Sequence, residues 1–127
     1  MARPPAPELT ERELEVMHVF WSRGESTVAD VRGELARRGR DLAYTTVATL
    51  VKILASKDFL EQIADERPFR FQPARSYDDV ARSMLGDLVQ KVFRGSHEKL
   101  LIHLMEQRKL SAKERALLEK ILREQPK

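Results

Sequence analysis

The chain of 127 residues contains no cysteine. Disulfides, thiolate metal sites and thiol nucleophiles are thereby removed together, and a cytoplasmic chain is the simplest reading. Glycine is scarce, with five residues, and no phosphate-cradling loop, nucleophile elbow or paired-carboxylate constellation is present. The three histidines are His18, His97 and His103. Only the last two share a region, and their six-residue separation gives no ordinary metal-ligand spacing. No catalytic residue, metal or cofactor is expected, so the chain is not read as an enzyme. No run approaches the roughly 18 apolar residues of a membrane span. The opening MARPPAPELTEREL has three prolines and no apolar h-region, so residues 1–7 are expected to form a disordered arm, not a secretory signal, and no membrane insertion is expected.

What is present is a helix-rich, charged chain, 42% apolar and 34% charged, long enough for one ordinary domain or two very small ones. The net charge of +3 suits a polyanionic partner without requiring one. Its distribution is more telling. Residues 1–60 hold nine basic and nine acidic side chains, yet residues 37–57 hold Arg37, Arg38, Arg40, Lys52 and Lys57 against Asp41 alone.

Helix grammar is clear in the first 56 residues. In LTERELEVMHVFWSRGE, Thr10 stands three residues before Glu13 as a capping box. Leu14, Val16, Met17, Phe20 and Trp21 then fall in one apolar sector, and Gly24 marks the stop. STVADVRGELARRG repeats the pattern with Thr27 and Asp30, then Val28, Val31 and Leu35, and ends at Gly39. In AYTTVATLVKILASKDF, Val47, Leu50, Val51 and Leu54 form a buried stripe, so Thr45, Thr49, Lys52 and Ser56 must face away. Threonine is a poor helix former, and its presence on an outer face asks for a use other than helix stability.

The period then changes. FLEQIADERPFRFQP alternates in two short runs, with Leu60, Gln62 and Ala64 on one parity and Phe69 and Phe71 in the other run, separated by the polar turn cluster DERP. This predicts a two-stranded hairpin closed by Pro73. Three short helices followed by a hairpin is the order of a winged helix-turn-helix, in which the third helix enters the major groove. Thr45, Thr46 and Thr49 then have a use, because short hydroxyl side chains reach phosphates and base edges and their methyls pack on thymine. Tyr44, Lys52 and Arg40 are candidate backbone contacts, and Arg67 and Arg70 candidate wing contacts. The alternative for Thr45 or Thr46 is a helix cap.

The stretches LTERELEVMHVFWSRG, TVADVRGEL, AYTTVATLVKILASKDFL and RFQP resemble, in order and spacing, the amino-terminal domain of the BlaI/MecI/CopY penicillinase-repressor family. DLVQKVFRGSHEKLLIHLMEQRKLSAKERALLEKIL resembles that family's dimerisation region, so the likeness covers roughly residues 8–124. It implies a homodimeric repressor on a palindromic operator in double-stranded DNA, controlling resistance or stress genes. It also implies a regulatory protease as partner, with His103–Leu104 standing where the penicillinase branch has an asparagine followed by an aromatic or apolar residue. The cysteine cluster of the copper-responsive branch is absent, which excludes that sensor. Lys52 and Ile53 stand where many relatives have an acidic residue followed by arginine, and Asp58 where glycine is usual.

The second half supports pairing on its own terms. Ser76 with Asp79 and Ser111 with Glu114 are capping pairs for amphipathic helices. Their apolar stripes carry Leu88, Val92, Leu100, Leu101, Leu104, Met105, Leu117, Leu118, Ile121 and Leu122, the candidate dimerisation residues. About 50 residues of this kind are marginal as an isolated monomer, so a second copy or the first domain must cover them. The expected fold is mainly α with a small β-hairpin: a winged helix-turn-helix domain over residues 8–74 followed by a three-helix dimerisation domain over residues 75–127. Two other readings stay open on residues alone, a winged-helix protein-interaction module and a small-molecule-sensing regulator.

Overall fold

The computed structural model describes residues 9–106 and 110–124, with side chains through residue 120. The described chain forms two compact units, one ending at Val80 and the other beginning at Ala81. The expected arm lies outside the described residues, as do the side chains of Ile121 and Leu122.

The first unit is built from α1 (Glu11–Arg23), β1 (Ser26–Thr27), α2 (Val28–Arg37), α3 (Tyr44–Ser56), β2 (Leu60–Gln62) and β3 (Arg70–Pro73). Both expected capping boxes form. Thr10 and Glu13 exchange hydrogen bonds of 3.1 Å each, and Thr27 and Asp30 bonds of 3.1 and 3.0 Å, which satisfies amides that the first helical turn leaves without partners. The left-handed φ of +82° at Gly24 explains why a glycine ends α1. The apolar stripes meet in one core: Val16, Met17, Val19 and Phe20 of α1, Val31 and Leu35 of α2, and Val47, Val51 and Leu54 of α3 are all buried. Leu50 of the expected α3 stripe is only partly buried against it.

The hairpin expectation needs two corrections. The sheet has three antiparallel strands in the order β1-β3-β2, because Ser26–Thr27 pairs with Phe71 and Arg70. The alternation fails as a guide to burial: Leu60 is buried while Gln62 is exposed, and Phe71 is buried while Phe69 is 37% exposed. Only the base of the sheet reaches the helical core, so beyond it neither parity has anything to pack against.

Asp58 explains the expected departure at its position. Its φ of +67° lies in the left-handed region, where a side chain costs energy and glycine does not. Asp58→Gly is expected to stabilise the first unit by about 0.5–1 kcal/mol, read as a higher urea midpoint at unchanged slope.

The connection to the second half is anchored on α1. The Trp21 indole N–H donates to the Arg75 carbonyl at 3.0 Å, and the Trp21 and Tyr77 rings meet edge to face with centroids 5.3 Å apart. The second half consists of α4 (Tyr77–Lys91), α5 (His97–Glu106) and α6 (Ala112–Glu124). Val80, early in α4, belongs to the first core. Ser76 caps α4 through the Asp79 amide at 3.1 Å, Ser96 caps α5 through the Lys99 amide at 3.1 Å, and Ser111 and Glu114 form the expected box on α6. Among the described residues from Ala81 onward, Val89 alone is buried. Leu88 and Val92 are exposed, as is Leu117, whereas Leu100, Leu101, Leu104, Met105 and Leu118 are half-buried. Met84, Leu85 and Ile102 add further exposed apolar surface. Ile102 was not singled out from sequence because the run KLLIHLM is apolar on too many faces for periodicity to choose one.

Candidate nucleic-acid interface

Helix α3 carries the site because its two sides differ completely. Val47, Val51 and Leu54 are buried, whereas Tyr44, Thr45, Thr46, Thr49 and Lys52 are exposed. No acidic residue occurs anywhere in Tyr44–Ser56, so nothing on the helix repels a polyanion.

The N-terminus of α3 is uncapped. Ala43 occupies the cap position and makes no side-chain hydrogen bond to the helix, so neither Thr45 nor Thr46 serves as the cap. Among the described residues neither threonine side chain makes a hydrogen bond, while the Thr49 hydroxyl donates to the Thr45 carbonyl at 2.9 Å. Thr49 therefore keeps its acceptor lone pairs and its methyl for a partner, with its one proton already used. The first-turn amides and the helix dipole favour an anion at the same end.

The candidate cations differ in availability. Arg40 makes a bidentate ion pair with Glu15 of α1, at 3.2 and 2.8 Å. Arg70 faces Glu25 at 3.5 Å near the base of the sheet. Lys52 has no ion-pair partner among the described residues, and Arg67 lies over the Phe69 ring, 5.7 Å from its centroid. Lys52 and Arg67 are thus the two that can meet a phosphate without giving up a carboxylate.

Both ends of α3 are tied to α1. Beyond its C-terminus, Lys57 Nζ donates to Glu13 Oε1 at 2.8 Å; before its N-terminus, Arg40 holds Glu15. Glu13 and Glu15 are two residues apart on α1, and between them they fix the helix position from both sides. Burial raises the Glu13 carboxyl, but the hydrogen bonds from Lys57 and Thr10 outweigh it and leave the group below its ordinary value. The Arg40 hydrogen bond holds the Glu15 carboxyl low.

Between α3, the start of α2 and the wing lies an open groove of about 780 Å³. It is lined by Val28 and Ala29 of α2, Ala48 and Ala55 of α3, and Pro68 and Phe69 of the wing, among others, none of them singled out as site residues from sequence. Phe69 stood out only as a strand residue. Its exposure had no local signal, since it depends on where the helical core ends.

A family model described as Penicillinase repressor matches residues 9–124. The chain belongs to the penicillinase repressor family. It is 40% identical over 100 residues to the Transcriptional regulator BlaI of Mycobacterium tuberculosis, covering 77% of this chain and 72% of that protein. It is 25% identical over 115 residues to the Methicillin resistance regulatory protein MecI of Mammaliicoccus sciuri, covering 91% of this chain and 93% of that one. The solution structure of the DNA binding domain of the repressor BlaI superposes with a TM-score of 0.51 at 26% identity, over 62% of this chain and 93% of that one. The fold is accordingly a winged helix-turn-helix followed by three helices, and this member of the penicillinase repressor family is a transcriptional repressor, not an enzyme. Among the described residues no helix is long and apolar enough to cross a membrane.

Proposed function

We propose that the chain represses transcription as a homodimer that sets α3 of each copy into the major groove of a palindromic operator in double-stranded DNA. The observation that carries this reading is the outer face of α3, free of carboxylates, rich in short hydroxyl side chains, and led by an uncapped N-terminus. Thr45, Thr46 and Thr49 read base edges or the nearest phosphates. Tyr44 and Lys52 hold the backbone, and Arg67 serves the wing. Arg40 and Arg70 join only by exchanging Glu15 and Glu25 for phosphate. Pairing is supported by the exposed Leu88 and Val92 of α4 and Leu117 of α6, apolar side chains in a unit whose own core is small.

The names of the relatives, a methicillin resistance regulatory protein among them, support control of resistance genes. Release by a regulatory protease at His103–Leu104 requires α5 to unwind first, since the bond lies inside the His97–Glu106 helix and His103 Nδ1 is 2.8 Å from the Lys99 carbonyl oxygen.

Selection of genomic fragments bound at near-physiological salt tests the reading. A shared inverted repeat is the expected result, and recovery of no motif sinks it in favour of a protein-interaction module. Lys52→Ala is expected to weaken all duplexes about equally and to reduce the salt slope by about one. Thr49→Ala is expected to relax preference at one position per half-site, measured on a panel of single-base operator variants. Equal binding to the whole panel before and after the change removes Thr49 from the readout.

A further inference from the structure

The geometry points to a binding site for a small aromatic carboxylate in the groove between α3 and the wing, whose occupation excludes DNA from the same face. Its volume, about 780 Å³, is in the range of small-molecule sites. The floor is apolar and made of small side chains, with Ala48, Val51 and Ala55 of α3 facing Val28 of α2. A DNA backbone engages the cations and the rim of such a groove and leaves that floor unfilled. Phosphate contact therefore does not account for the recess.

Charge and shape select the ligand class. Among the described residues no aspartate or glutamate lines the groove, and the charged side chains along it are Lys52 and Arg67. Tyr44 and Phe69, 52% and 37% exposed, offer planar surfaces beside it. A flat apolar body fits between the small floor and these rings, burying surface now in contact with water. A carboxylate on that body reaches Lys52 or the Arg67 guanidinium, which already lies against Phe69. An inorganic anion would leave the floor wet, and a neutral arene would leave the cations unanswered.

Binding in the groove stands on this geometry, whereas the exclusion of DNA rests on the proposed DNA reading, through the shared Tyr44, Thr49, Lys52 and Arg67. The test titrates the full chain with 2-naphthoate and with its neutral counterpart 2-naphthylmethanol, following amide resonances in nitrogen–proton correlation spectra. Shifts are expected to centre on Ala48, Thr49, Lys52 and Phe69, with naphthoate binding about tenfold more tightly than the alcohol. A double Lys52→Gln, Arg67→Gln variant should abolish that preference, and Ala48→Leu, which fills the floor, should weaken both probes. Shifts centred elsewhere, equal affinity for acid and alcohol, or undiminished binding to a folded Ala48→Leu chain overturn the site. Duplex affinity measured with and without naphthoate separates the two readings. Naphthoate in the groove of a chain that binds no duplex supports the site and overturns the DNA reading. Duplex binding without groove shifts overturns the site alone, and duplex affinity unchanged by bound naphthoate overturns the exclusion.

Discussion

Leu88→Asp is expected to convert the proposed dimer to a monomer in sedimentation equilibrium and to lower affinity for a two-half-site operator by about 100-fold or more. Leu88 is 43% exposed on α4, one helical turn from exposed Met84 and Val92. In the single chain an aspartate there stays hydrated and costs little. Across a dimer interface it is buried without a partner, which is strongly unfavourable. Leu101 is a less clean choice because it is half-buried, so a charge there also disturbs the chain's own packing. The operator effect follows from losing effective concentration at the second half-site, so affinity for an isolated half-site should be unchanged. A variant that still sediments as a dimer removes the α4 stripe from the interface.

Glu13→Ala is expected to destabilise the winged-helix unit by about 2 kcal/mol and lower its melting temperature by roughly 10 °C. Glu13 is 4% exposed and serves two purposes with one carboxylate: it returns the capping box to the Thr10 amide and holds Lys57 at 2.8 Å. Truncation leaves the Thr10 amide unpaired and Lys57 without this anion beside the end of α3. Lys57 is 28% exposed at its side chain, and water can reach it, which keeps the cost below that of a fully buried pair. The pH dependence has a definite sign. The Glu13 carboxyl titrates below 4.5 in the folded chain, so its contribution is present above 4.5 and is lost as pH falls through the lowered native value. Glu15 behaves in the same way through Arg40. Glu13→Gln should therefore lose stability at neutral pH and approach the parent chain in acid, measured by urea unfolding across that range. A constant difference at all pH values would show that the ion pair contributes nothing.

Much of the architecture could be read from residues three and four apart. Thr10 with Glu13, Thr27 with Asp30 and Ser111 with Glu114 mark helix starts because a cap closes within one turn, and that spacing is visible in a linear chain. The outward set Thr45, Thr49 and Lys52 followed from the Val47, Val51 and Leu54 stripe for the same reason. Strand β1 was invisible because Ser26–Thr27 is too short to alternate and gains its pairing from Phe71 and Arg70, more than 40 residues on.

The site divides along the same line. Helical periodicity assigns a direction to every side chain on α3, since one turn constrains the next, and so the hydroxyl face was legible before any fold was known. Which cations remain available on that face depended on partners brought close by folding. Glu15 and Glu25 claim Arg40 and Arg70, leaving Lys52 and Arg67 beside the groove. Residues far apart in the chain meet only when three helices and a sheet share one core, and no local spacing encodes which carboxylate will meet which arginine.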